Sequence, residues 1–456
     1  MGYVKLALFV ALGALSISIF RTVSNIFEVP PVPKLEEIWW GPNTTGKQDT
    51  QITPFKINIP NEVLKDLRYR LKNTKPLPSP LEDSKQTYGI NSQVTTKIVD
   101  HWLNKYDWRE REKLLNRYPQ FKTEIQGLKI HFLHVKPKEH VGLKVLPLLL
   151  IHGWPGSVVE FYDIIPYLTT PQKGRNFVFE VIVPSLPGYG FSDAAVRPGL
   201  GPTHMAVIFK NLMRRLNFEK YYVQGGDWGS VLIRHMSTLF PENIIGMHSN
   251  MCGNMSPKSS LKMMLYSFQP SLIVEKKYEH LVYPLSTIFS NMLEESGYMH
   301  LQSTKPDTIG TALTDSPAGL AAYIVEKFIT WTNPNWKHTD ASKLTEAYKI
   351  DSLIDNIMVY WVTGSITTSM RLYAEAFSKA EMSLNLDRIP VQVPAGCSQF
   401  IHDIVYSPTA LLEDKFLNLI HVTHYEGGHF AAFELPHILA KDIYDFTEKV
   451  LRLQSK

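Results

Sequence analysis

The sequence predicts an α/β fold, a mostly parallel sheet with helices on both faces, and three observations carry that expectation. Apolar runs at Leu143–Ile151, Phe177–Val183, Tyr221–Gln224, Ile244–Ser249, Ile389–Ala395 and Leu419–His424 read as strands buried on both faces, and helical stretches separate them. Gly-rich clusters stand where several of these runs end, the place where open parallel sheets collect function. Residues from about 251 to 379 interrupt the rhythm with a Met-, Leu-, Tyr- and Trp-rich helical stretch, which reads as a lid over an apolar pocket.

The rest of the chain is organised around that core. With 456 residues, 44% hydrophobic and 20% charged, it is globular in composition and long enough for one large domain with additions. A net charge of +4 gives no ground for a nucleic-acid partner. Leu6–Phe20 is uncharged and bracketed by Lys5 and Arg21; with Tyr3 and Val4 it approaches the roughly 20 residues of a membrane span. A retained anchor over 1–27 is preferred to a cleaved signal peptide, for which Ser16 and Ser18 offer only a weak cleavage site. Pro30, Pro31, Pro33 and Gly41-Pro42 make a linker that opens an amino-terminal region over 28–140. That region is expected to be mostly helical, as in Asn61–Leu71 with Val63, Leu64, Leu67 and Leu71 near helical spacing, and to close with a strand at Lys129–His134. The catalytic unit follows over 141–456. Cys252 and Cys397 make no disulfide framework, which suits a reducing compartment or a chain that needed no oxidation.

Gly225-Gly226-Asp227-Trp228-Gly229 stands between the run Tyr221–Gln224 and the helical stretch Ser230–Phe240. This is the G-x-nucleophile-x-G turn that raises a nucleophile above the sheet of the α/β-hydrolase fold. Serine is usual at its centre; here it is Asp227. A carboxylate attacking a carbonyl makes only an anhydride, but it can displace a leaving group from an sp³ carbon and form an alkyl-enzyme ester. Strained epoxides and haloalkanes are such substrates. Gly and Asp alone also make ordinary turns; the flanking strand and helix favour the catalytic reading.

The other parts follow in chain order. His429, in Gly427-Gly428-His429-Phe430 after the last strand, occupies the place of a general base that activates water. Asp403, in the loop after Ile389–Ala395, is the choice for the carboxylate that orients His429, with Glu413, Asp414 and Glu426 as alternatives. The loop His152-Gly153-Trp154-Pro155 follows the first strand, so the backbone N–H groups of Trp154 and Trp228 are expected to form the oxyanion hole. Scattered His, Asp and Glu show no further ligand spacing, so no metal or organic cofactor is implied.

Taken together these motifs resemble the microsomal epoxide hydrolase family, and within it the juvenile-hormone epoxide hydrolases of insects. The resemblance extends through Trp39-Trp40-Gly41-Pro42, Asn116-Arg117-Tyr118-Pro119, His152-Gly153-Trp154-Pro155-Gly156-Ser157, Pro187-Gly188-Tyr189-Gly190-Phe191-Ser192-Asp193, Gly297-Tyr298-Met299-His300 and Gly427-Gly428-His429-Phe430-Ala431-Ala432. It implies two lid tyrosines that hydrogen-bond the epoxide oxygen and give it a proton; the matching positions are Tyr298 and Tyr373. It implies a lipophilic epoxide, juvenile hormone or a xenobiotic, as substrate with water, and the endoplasmic reticulum membrane with the catalytic part facing the cytosol. Glycan on the sequon Asn43-Thr44-Thr45 would contradict that orientation. The microsomal branch usually carries Glu where this chain has Asp403, while more distant soluble epoxide hydrolases and dehalogenases use Asp, so the departure bears on the rate of ester hydrolysis rather than on the reaction type. Two other functions fit parts of the pattern. A haloalkane dehalogenase shares the Asp nucleophile but needs no proton donor, and a non-catalytic hormone-binding protein needs the pocket but not the triad.

Overall fold

Pairing of nine strands sets the frame on which everything else is hung. The computed structural model describes residues 26–42, 48–340 and 342–455; the anchor expected at Leu6–Phe20 and the sequon at Asn43 lie outside them. The strands are β1 (Thr53–Phe55), β2 (Gln120–Ile125), β3 (Leu128–Val135), β4 (Lys144–Ile151), β5 (Phe177–Pro184), β6 (Tyr221–Gly225), β7 (Ile244–Ser249), β8 (Ala395–Phe400) and β9 (Leu419–Tyr425). They form one sheet in the order β1-β2-β3-β5-β4-β6-β7-β8-β9. Every pair from β5 to β9 in that order is parallel, and the pairs β1·β2, β2·β3 and β3·β5 are antiparallel. The order of the chain reverses at β4, which lies between β5 and β6, so the ends of β4 and β6 flank a switch point of the kind at which such sheets bind ligands. Leu148–Ile151 and Val181–Val183 are at most 1% exposed, which is why these strands read as unbroken apolar runs.

Three expectations are corrected. The amino-terminal region is mostly helical, with Asn61–Lys72, Ser92–Asn104 and Trp108–Leu115, and closes with the expected strand, β3, but it also supplies the unexpected strands β1 and β2 to the main sheet. The β2–β3 hairpin turns at Gln126 and Gly127, both at positive φ (50° and 83°), the geometry of a tight two-residue turn. The strand expected at Ile389–Ala395 starts instead at Ala395. Pro390 and Pro394 have no N–H for a ladder, so between them only an isolated bridge from Val391 to Phe416 forms, and the continuous ladder begins after the second proline. The cysteines also depart from expectation: they make no framework, but Cys252, just after β7, is bonded to Cys397 in β8, an oxidised pairing where a chain that needed no oxidation was expected.

Between β7 and β8 the chain is helical, as the lid expectation required, and the lid is tied to both other parts. Its helix Ile350–Thr363 carries Asp355, which accepts from Tyr106 Oη at 2.7 Å and from Arg111 Nε at 2.9 Å, both in the amino-terminal region. One residue on, Asn356 Nδ2 donates to the Pro155 carbonyl at 2.7 Å and Asn356 Oδ1 accepts from Ser157 Oγ at 2.7 Å. Tyr360, one turn further, donates to the Gly156 carbonyl at 2.6 Å. A buried charge stripped of one partner costs several kcal/mol, so Asp355 welds the amino-terminal helices to the lid helix, which in turn holds the loop after β4. Among the described residues no helix is long and apolar enough to cross a membrane.

Candidate active site

The turn after β6 is forced by close packing. A Cβ on Gly229 would stand 1.9 Å from the Ile151 carbonyl oxygen, and one on Gly225 would stand 2.6 Å from the Gly229 backbone, so both flanks of the turn require glycine. Between them Asp227 sits at φ 48°, a left-handed conformation that Asp tolerates better than most residues, and opens the helix Asp227–Leu239. Its carboxylate is thus lifted off the end of β6 toward the lid. Oδ1 accepts the Trp154 N–H at 2.7 Å, and Oδ2 lies 3.3 Å from His429 Nε2. Trp228, whose N–H was assigned to the same hole, follows directly and turns its ring edge-on to Tyr373 at 4.8 Å.

Behind Asp227, the loop after β4 is fixed by His152. This side chain is fully buried, and burial lowers its pKa to about 4, so the ring is neutral. One tautomer serves both neighbours: Nδ1 donates to the Gly153 carbonyl at 3.0 Å and Nε2 accepts the Leu186 N–H at 3.1 Å. The sequence named His152 only as part of a motif; its polar role needed the fold.

His429 follows β9. Its backbone N–H donates to the Trp331 carbonyl at 2.9 Å, and its ring meets Trp331 edge-on at 4.9 Å. Gly428 permits this contact with the lid, since a Cβ there would come within 2.3 Å of the Thr332 carbonyl oxygen. Nδ1 of His429 bonds Asp403 Oδ1 at 2.7 Å. The alternative carboxylates are engaged elsewhere or outside this contact: Glu426 pairs with His402 at 2.7 Å, and Asp414 with Lys258 at 2.6 Å and Lys262 at 2.5 Å. Asp403 Oδ1 also accepts the Ile404 N–H at 2.6 Å, and its buried Oδ2 has no hydrogen-bond partner. Burial alone would lower the His429 pKa, but Asp403 and Asp227 together overcome it and raise it to about 10.

The lid completes an aromatic cage over Asp227. Tyr298, in the helix Gly297–Thr304, stacks on Trp154 at 5.4 Å; Tyr373, in the helix Ile366–Ala376, stands edge-on to Trp154 at 5.9 Å and to Tyr298 at 5.8 Å. Burial pushes both phenols above their ordinary pKa, helped at Tyr298 by the charge of Asp227 and at Tyr373 by Tyr298 and then Asp227, so each keeps its proton. Lys327, buried in the helix Pro317–Thr330, places Nζ 4.4 Å over the Tyr298 ring. Tyr323 is a third phenol beside Trp154, edge-on at 5.7 Å, and accepts from Gln302 Nε2 at 3.3 Å. Neither Lys327 nor Tyr323 was singled out from the sequence, because a lysine and a tyrosine in a helical stretch carry no motif. Among the described residues there is no cluster of three or more His, Cys, Asp or Glu that could hold a metal. The arrangement presents a carboxylate oxygen, two proton-bearing phenols and an imidazole to one space, which suits attack on a saturated carbon followed by hydrolysis.

Comparison with known proteins agrees with this chemistry. Residues 52–161 match the family described as epoxide hydrolase N terminus, and residues 147–378 match the alpha/beta hydrolase fold. Juvenile hormone epoxide hydrolase 1 of Ctenocephalides felis is 51% identical over 99% of this chain and 97% of its own length. Epoxide hydrolase 1 of Sus scrofa is 44% identical over 90% of this chain and 91% of its own. The crystal structure of juvenile hormone epoxide hydrolase from the silkworm Bombyx mori superimposes with a TM-score of 0.91 at 51% identity, covering 92% of this chain and all of that one.

Proposed function

The chain belongs to the epoxide hydrolase family and is an epoxide hydrolase of the α/β-hydrolase fold, and from that premise we propose that it works through an ester on Asp227. Asp227 Oδ2 attacks an epoxide carbon while Tyr298 or Tyr373 gives its proton to the opening oxygen. One C–O bond forms as another breaks, leaving a hydroxyalkyl ester and a tyrosinate. Water then adds to Asp227 Cγ, its proton passing to His429 Nε2, which Asp403 orients. The oxyanion that forms on Oδ1 takes the hydrogen bonds of the Trp154 and Trp228 N–H groups. His429 gives its resting proton to the tyrosinate once the ester exists and regains one from the water; collapse passes the other water proton to the leaving oxygen and frees the vicinal diol and the carboxylate.

The observation that carries this reading is the position of the Asp227 carboxylate under the lid: one oxygen is held by the Trp154 N–H at 2.7 Å and the other lies 3.3 Å from His429 Nε2. A dehalogenase would have no use for two neutral phenols above its nucleophile, which favours an epoxide over a haloalkane. Higher identity to the flea enzyme than to the pig enzyme supports juvenile hormone as the physiological substrate, with other lipophilic epoxides as slower ones. The uncharged segment Leu6–Phe20 supports an anchor in the endoplasmic reticulum membrane with the catalytic part in the cytosol, where a greasy substrate partitions.

A single turnover in heavy-oxygen water tests the chemistry. The label should enter the Asp227 side chain, and the first diol should carry the enzyme's own unlabelled oxygen. Label in the first diol with none in Asp227 would mean that water attacks the substrate directly.

A further inference from the structure

A second carboxyl group stands behind the nucleophile and takes no part in the steps above. Glu160 lies in the short helical turn Val158–Phe161 after the loop that holds Asp227. It lines a cavity of about 20 Å³ together with Gly153, Gly156, Asp227, Asn250 and His429. That volume is room for one water molecule, and water in such a place needs two or more polar partners. Among the described residues, no protein group is seen to hydrogen-bond the Glu160 carboxyl, and His429 Nε2, on a residue lining the same cavity, has Asp227 Oδ2 at 3.3 Å but no well-directed hydrogen-bond partner.

The loop is shaped to admit both carboxyl groups. A Cβ on Gly153 would stand 2.1 Å from Asp227 Oδ1, and a Cβ on Gly156 would stand 2.2 Å from Glu160 Oε2. Each glycine of His152-Gly153-Trp154-Pro155-Gly156 therefore makes space for one carboxyl. Burial, and then the charge of Asp227, raise the Glu160 pKa well above the ordinary carboxylate range against the opposing pull of His429. Glu160 is therefore neutral, and it adds no third negative charge beside Asp227 and Asp403.

We propose that Glu160 and His429 hold the hydrolytic water between them in this cavity, Glu160 accepting one of its hydrogens and His429 Nε2 the other, so that its lone pair faces Asp227 Cγ. Glu160 is then a positioning residue for the second half-reaction alone. The proposal rests on the Asp227 ester reading. It involves no new covalent step: the water oxygen bonds to Cγ, its proton goes to His429, and Glu160 keeps its own proton throughout.

The test separates the two half-reactions in the full-length protein, with styrene oxide as probe. Rapid quench and the mass of the peptide bearing Asp227 report ester formation and decay. Glu160→Leu should form the ester at close to the wild-type rate and hydrolyse it some ten- to a hundredfold more slowly, so the ester accumulates. Glu160→Gln, which keeps an acceptor, should recover hydrolysis to within about fivefold of wild type. Gly156→Ala, which displaces the Glu160 carboxyl without deleting it, should behave as Glu160→Leu does, and decides the matter if that variant does not fold. Ester decay at the wild-type rate in these variants would overturn the assignment. So would formation and decay falling together, the signature of a merely structural residue. Wild-type protein that never carries the ester on Asp227 would instead remove the reading on which the proposal stands.

Discussion

Replacing Gly153 by alanine should disable the nucleophile while leaving the fold standing. The added Cβ would lie 2.1 Å from Asp227 Oδ1, 2.4 Å from its Cβ and 2.6 Å from its Cγ. Real Cβ contacts are essentially never shorter than 3.0 Å, so the Asp227 side chain must retreat by about 1 Å, and a misplacement of that size costs on the order of a hundredfold in rate, or about 2.7 kcal/mol of barrier. The retreat also strains the 2.7 Å bond from the Trp154 N–H, which adds to the loss. Gly153 has no left-handed φ, so alanine meets no backbone strain there, and the overpacking itself should cost about 1 to 3 kcal/mol of stability. The assay is the single-turnover rate of ester formation with styrene oxide, alongside the urea midpoint. A folded variant that forms the ester within about threefold of the wild-type rate would refute the reasoning, because Asp227 would then not need the place it occupies.

Three further outcomes are expected. Tyr298→Phe combined with Tyr373→Phe should abolish ester formation, and each single change should slow it by roughly ten- to a hundredfold, read in the same quench experiment; full activity in the double variant would end the proton-donor role. His429 has a folded pKa of about 10 against 6.5 for the free side chain, so its contribution to stability is complete below pH 6.5 and is lost as pH rises to 10. Across that window, unfolding free energy should fall by up to about 1.4 kcal/mol per pH unit more steeply in wild type than in Asp403→Asn, measured by urea titration at each pH. In sealed microsomes, Asn43 should carry no glycan and protease should reach the catalytic part from outside; glycan at Asn43 would reverse the proposed orientation.

How far the sequence could be read depended on whether a feature is local. The strands β4 to β7 were legible because burial on both faces leaves an unbroken apolar run, and Asp227 was legible because a tight turn demands glycines at fixed spacing. The strand β8 was displaced because Val391 and Val393 look like strand residues, while the prolines beside them decide the pairing. Strand β3 was legible, but β2, β1 and their place in the sheet were missed: Gln120–Ile125 is too polar to advertise a strand, and its outer pairing is with β1, far back along the chain. The same limit hid Glu160, Lys327 and the polar role of His152, each defined by a neighbour 29 to 269 positions away or by a cavity that exists only in three dimensions.

The electrostatics of the site also order the two half-reactions. In the resting enzyme His429 lies between two carboxylates, 2.7 Å from Asp403 and 3.3 Å from Asp227, and both hold it in the charged form. A charged imidazole cannot take a proton from water, so the base is idle while the substrate binds. It can, however, pair with Asp227 and keep that carboxylate anionic for attack. Esterification removes the Asp227 charge and one of the two causes that raise the His429 pKa, while the burial that lowers it stays in force. On the proposed mechanism His429 then sheds its proton to the tyrosinate more readily and is a base when an ester exists to be hydrolysed. Burial and Asp403 together set how far that fall goes.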